Sequence, residues 1–163
     1  MKYGKDFWCL DDRRRRLPAP VWPQLEPFKY PDGTRGFWLR EHYQVEFIFR
    51  GQHWRLLVRY GFDFDGASIK RLVWSLIGDP LALNILIAAL IHDIMFCVNH
   101  KNWPLEAANS LFYEIQQATG SPWVKRRMTT AFVRCLGWIT WKKSDDYMEK
   151  YSYYFEAEMI NGD

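Results

Sequence analysis

Two hydrophobic periods divide this chain. Between about residues 34 and 60, FWLRE, YQVEFIF and WRLLVRY are rich in aromatic and β-branched residues and partly alternate apolar with polar side chains, the two-residue period of a half-buried strand. Gly51-Gln52 between the last two reads as a hairpin turn. A small antiparallel sheet of two or three strands is predicted. From Gly78 the period becomes helical. Asp79-Pro80 is an N-cap followed by proline at the first helical position, and that helix runs to about Val98. Pro104 opens a second helix to Ala118, with Ala108, Leu111, Phe112 and Ile115 as its apolar stripe, and Gly120 stops it. Ser121-Pro122 repeats the cap for a third helix, about Trp123 to Trp141, with a stripe of Val124, Met128, Ala131, Phe132, Cys135, Leu136 and Ile139. Ser68 would cap a short helix over 69–77. Ser144 with Asp145 and Asp146 would cap a last one through about Glu158, carrying Tyr147, Tyr151, Tyr154 and Phe155 on one side. Pro18, Pro20, Pro23, Pro27 and Pro31 rule out long helices before residue 33, so residues 1–33 read as an irregular proline-rich arm pinned by Trp8, Trp22 and Phe28. The expected class is α+β: an arm (1–33), a sheet (34–60) and a helical core (61–163) holding a four- to five-helix bundle over about 68–160.

A length of 163 residues suits one domain, 1–163, with a proper core. The net charge of +3 is mild and does not imply nucleic acid by itself. Cys9, Cys97 and Cys135 are odd in number and far apart, so they suggest no disulfide framework and no CxxC metal site. Cys97 and Cys135 fall in apolar helical patterns and read as buried thiols in a reducing compartment. The first residues, MKYGKDFWCLDDRRRR, lack an apolar core of signal-peptide length, and the run Leu81 to Ile91 is too short to span a bilayer.

Chemistry concentrates in AALIHDIMF, residues 88–96, where His92 and Asp93 interrupt an apolar run. Burying an unpaired ionisable group is costly, so these two need partners, a bound ion or a cavity wall. They point about 100° apart on a helix and serve different neighbours. A histidine general base with the adjacent carboxylate on a metal is one use; a buried pair that locks the helix is the other. A short connection folds the next helix back antiparallel and brings Asn109 toward His92. The loop GFDFDGA, residues 61–67, supplies Asp63 and Asp65, which with Asp93 make an oxygen-rich candidate site of the calcium type. Ser68 reads as an N-cap, with a Ser68–His92–Asp65 triad as the catalytic alternative. The third long helix is charged only with bases, Lys125, Arg126, Arg127 and Arg134, followed by Lys142 and Lys143. Trp123, Trp138 and Trp141 stand at its ends. Its polar side is either a solvated face or a surface for an anionic membrane, nucleic acid or an acidic protein. The Arg13–Arg16 run reads either as a solvated basic turn or as a grip on phosphate or anionic lipid.

GFDFDGASIKRLVWSLIG, then AALIHDIMF, then AANSLF resembles a family of phage and prophage proteins known as domain of unknown function 1353. The resemblance covers roughly residues 60 to 140 and matches at Asp65, Ala67, Ser68, His92 and Asp93. Lys70 stands where proline is usual, Phe96 where tyrosine is usual, and Asn109 where aspartate is usual. It implies a phage or prophage origin, a place in the host cytoplasm or the virion, and no established activity. The segments around His92 and Asn109 also look like the helical core of bacterial and fungal secreted phospholipases of the A-two class. That likeness implies His92 as general base, Asp93 as calcium ligand and Asn109 as orienter. Asparagine cannot stabilise an imidazolium as aspartate does; the equivalent change in a serine-protease triad costs about ten thousandfold. Two functions are therefore expected. The first is an accessory protein that binds a host or virion protein over a vestigial or weak His-Asp site, with the C-terminal aromatic helix as a candidate interface. The second is a metal-dependent hydrolase of a lipid or cell-envelope ester.

Overall fold

A computed structural model describes residues 6–33, 35–64, 83–98, 103–141 and 151–160. The hairpin of β4 (Tyr43–Phe49) and β5 (Gln52–Val58) is the centre of an antiparallel sheet. Its turn is made by Arg50 and Gly51, at φ 52° and 76°. Two successive positive φ values give the twist that a two-residue hairpin needs, so the turn sits one residue earlier than Gly51-Gln52. β1 (Phe7–Leu10) pairs with β4, and β7 (Phe155–Ile160) pairs with β5, giving the order β1-β4-β5-β7. The inward positions Phe7, Cys9, Val45, Phe47, Leu56 and Val58 are all buried. A second antiparallel sheet is ordered β2-β3-β6, from Leu25–Lys29, Arg35–Leu39 and Asp63–Phe64.

The expectation of one small sheet is thus corrected to two, and the arm is not wholly irregular. Pro27 is tolerated because β2 is an edge strand. Nor does Trp22 pin the arm, since it is 47% exposed. The tie comes from the backbone: the Tyr43 hydroxyl donates to the Val21 carbonyl at 3.1 Å, and the Arg40 amide donates to Gln24 at 2.7 Å.

Three helices lie among the described residues, and a four- to five-helix bundle is not supported. α1 (Leu83–Val98) is buried at every position from Ile85 to Met95 except the half-buried Asp93. A helix that is apolar all round belongs inside, and α1 shares one core with Val45, Phe47 and Leu56 of the sheet and with Leu111, Phe112 and Ile115 of α2 (Leu105–Ala118). α2 begins after Pro104 and is closed off past its end by Gly120, φ 82°. There the amides of Gly120 and Ser121 bond to the carbonyls of Gln117 and Gln116, the glycine-terminated closure its sequence predicts. α3 (Trp123–Trp141) has the predicted span but only part of the predicted face, for Met128 and Phe132 pack against the core while other stripe members do not. Val124 is 59% exposed, and Ala131 and Cys135 are exposed as well. Thr129 and Thr130 are buried instead, and Thr129 Oγ1 donates to Gln116 Oε1 at 2.9 Å. A buried glutamine amide needs a partner, and meeting that need rotates α3 away from its apolar stripe. Ser121 Oγ has no hydrogen-bond partner among the described residues, so its side chain does not cap α3.

The expected C-terminal helix is a second correction. Residues 152–154 make one 3₁₀ turn, and FEAEMI continues as β7. Phe155 and Ala157 alternate with Glu156 and Glu158, a two-residue period that the tyrosine spacing before it obscures. The short helix over 69–77 and the start of the expected last helix lie outside the described residues.

Candidate functional site

His92 and Asn109 meet across the packed pair α1 and α2. His92 Nε2 lies 3.1 Å from Asn109 Oδ1, and His92 Nδ1 lies 3.2 Å from Asp93 Oδ1. The residues are 7% and 3% exposed respectively. The Phe112 ring stands edge-on to the imidazole, with centroids 5.6 Å apart. Small neighbours permit this approach: Ala88, Ala89, Ala107 and Ala108 are all buried around it. Both ring nitrogens thus have a partner inside the fold. With both protonated, each donates to an acceptor oxygen and Asp93 supplies the counter-charge. In the neutral ring, one N–H keeps its acceptor, and turning the Asn109 amide offers its NH₂ group to the other nitrogen.

The remaining candidates do not join this cluster among the described residues. Asp63, in β6, accepts hydrogen bonds on Oδ2 from the hydroxyls of Tyr30 (2.9 Å) and Tyr151 (3.1 Å). Asp93 is half-buried and paired with His92. No three His, Cys, Asp or Glu side chains among the described residues group closely enough to hold a metal ion. Asp65 and Ser68 lie outside the described residues, so the calcium set and the Ser68 triad have only part of their members in view. A cleft of about 390 Å³ opens between β1, β4 and α2. Phe7, Phe47, Leu111 and Ile115 line it together with the carboxylates of Asp6 and Glu114, and His92 is not among its lining. Burial pushes the Glu114 carboxyl up, with nearby Asp6 adding to the effect and Arg50 opposing it.

The Arg13–Arg16 run is largely spent on internal contacts. Asp11 accepts from the amides of Arg13 and Arg15 and from Arg15 Nε, around a positive φ at Arg14. Arg16 lies over the Trp8 ring at 3.8 Å and bonds Glu46 at 3.0 Å. Sequence reading missed the hub of this face. Glu46 is 5% exposed and takes hydrogen bonds from Arg16 and Arg55, while Arg55 also reaches Glu158. The available signal was a carboxylate inside YQVEFIF facing Arg55 across the hairpin. On α3, Arg127 and Arg134 are exposed, while Arg126 is half-buried over the Tyr113 ring at 4.7 Å. Trp138 and Trp141 belong to the same helix, with their side chains outside the description. Cys135 is exposed, against the expected buried thiol, because α3 is rotated. The C-terminal aromatics do not form an exposed helical face. Tyr151 is buried, the rings of Tyr151 and Tyr154 lie against Phe62, and Tyr153 is the exposed member.

The family model described as a protein of unknown function, DUF1353, matches residues 42–133. The chain belongs to this family. The match takes in β4, β5, α1, α2 and part of α3, so the His92–Asn109 contact lies wholly within the DUF1353 region while β1 and β7 flank it. No curated protein and no solved structure matched the chain. Among the described residues, no helix is long and apolar enough to cross a membrane.

Proposed function

We propose that this DUF1353 member is a non-enzymatic accessory protein, of phage or prophage origin, that acts by binding a host or virion partner. One observation carries the reading: both ring nitrogens of the buried His92 are held by side chains of the fold, Asp93 and Asn109. A general base must offer a lone pair to a proton on substrate or water, and these contacts leave the ring acting as a lock between α1 and α2. Asparagine in place of the usual aspartate agrees with that role, because an amide orients an imidazole without stabilising its charged form. The cleft beside β1 and β4 opens elsewhere.

The second reading, a metal-dependent ester hydrolase, draws on the same pair: a histidine with an orienting side chain at 3.1 Å across two helices is a working arrangement for a base. The test is hydrolysis of a panel of lipid and simple esters, with and without calcium, by the wild type and by His92→Ala and Asn109→Asp. The binding reading expects no turnover that depends on His92. Calcium-dependent hydrolysis that His92→Ala abolishes in a folded protein, and that Asn109→Asp raises, overturns it.

A further inference from the structure

The outer face of α3 combines two features, though Met128 on it also packs against the core. The first is apolar: Trp123 and Val124 are 56% and 59% exposed. Ala131 and Cys135 are exposed, and Met128 is half-buried. Val124, Met128, Ala131 and Cys135 follow one another at helical spacing and form a single line. The second is charge. Arg127 and Arg134 flank that line on one side and Lys125 on the other, and no acidic residue occurs between Trp123 and Trp141. Among the described residues none of Lys125, Arg126, Arg127 and Arg134 forms an ion pair, whereas Arg15, Arg16, Arg40, Arg55 and Arg59 all do. Arg127 lies over the Trp123 ring at 4.6 Å, and the buried Arg126 Nε has no hydrogen-bond partner among the described residues. The same guanidiniums, Arg126 first and Arg127 after it, hold the Tyr113 hydroxyl below its usual range. Among the described residues no carboxylate neutralises this positive potential.

We propose that this face of α3 docks on an anionic phospholipid surface, with Val124, Ala131, Cys135 and Trp123 entering the headgroup boundary and Arg127, Arg134 and Lys125 reaching the phosphates. An apolar line with basic flanks and a terminal tryptophan is the pattern of a helix lying in a bilayer interface. A nucleic acid or an acidic protein would satisfy the cations but would set the apolar line against a polar partner. The proposal rests on the binding reading above and names the chemistry of one partner.

Sedimentation of the whole protein with vesicles of phosphatidylcholine alone, or mixed with phosphatidylglycerol, tests it. Binding is expected only to the anionic vesicles. It should fall about five-fold for each of Arg127→Gln and Arg134→Gln, weaken with salt, and weaken again in Val124→Asp or, if that variant melts early, Cys135→Asp. Equal binding or no binding to both vesicle types overturns the proposal. So does an arginine-dependent affinity for single-stranded RNA or polyglutamate that Val124→Asp leaves intact, without vesicle binding. Lipid cleavage is followed in the same samples: His92-dependent cleavage would sink the binding reading, and absent association would sink the docking face, each without the other.

Discussion

Glu46 shows how a single position can carry electrostatic cost and relief together. Burial pushes its carboxyl up, but hydrogen bonds from Arg55 and Arg16 outweigh burial and hold it below the ordinary value of 4.5. A carboxylate with a depressed folded pKa binds fewer protons folded than unfolded. Its contribution is therefore complete above the unfolded pKa and is lost as pH falls through the folded one. Glu46→Gln should destabilise the protein at neutral pH by about 1–3 kcal/mol, and the gap to the wild type should close below about pH 4.5. Denaturant melts across that range check it; a gap that is constant with pH contradicts the assignment. His92 and Asn109 belong to the same scale. Their approach was legible in sequence because a short connection makes α1 and α2 antiparallel neighbours, and the 17-residue separation then brings both to one level. That Asp93 would close the other side of the ring was not legible, because adjacent helix positions point about 100° apart and only side-chain rotation brings them within 3.2 Å.

Among elements, α3 shows where periodicity stops being enough. Its limits were readable from Ser121-Pro122 and the helical period, as were those of α2 from Pro104 and Gly120. Its orientation was not, since Gln116 and Thr129 carry no apolar signal and only their mutual burial decides which side faces α2. Thr129→Val keeps the shape but leaves Gln116 Oε1 without that donor. It should cost about 1–3 kcal/mol, measured by chemical denaturation. An unchanged midpoint would mean that the apolar stripe, not this bond, sets the rotation. β7 failed for a related reason. Its alternation is only six residues long, and it is fixed as a strand by pairing with β5 and by Glu156 and Glu158 meeting Arg59 and Arg55. Those partners lie roughly a hundred residues away, beyond the reach of any local window.

In the whole molecule, α1 is the centre: a mostly apolar helix packed against α2, touched by β7 and sharing one core with the four-stranded sheet. The α+β class followed from the change of period near Gly78, but the second sheet and the long-range closure by β7 depend on pairings that no local pattern encodes. The His92–Asn109 contact is the buried polar link between α1 and α2, and it acts as a structural lock between them. A double-mutant cycle measures that lock directly, from the unfolding free energies of the wild type, His92→Leu, Asn109→Leu and the double variant. A lock predicts that each single change costs about 1–3 kcal/mol and that the two are coupled by about 0.5–3 kcal/mol. Losses that simply add, or a His92→Leu variant as stable as the wild type, would contradict it.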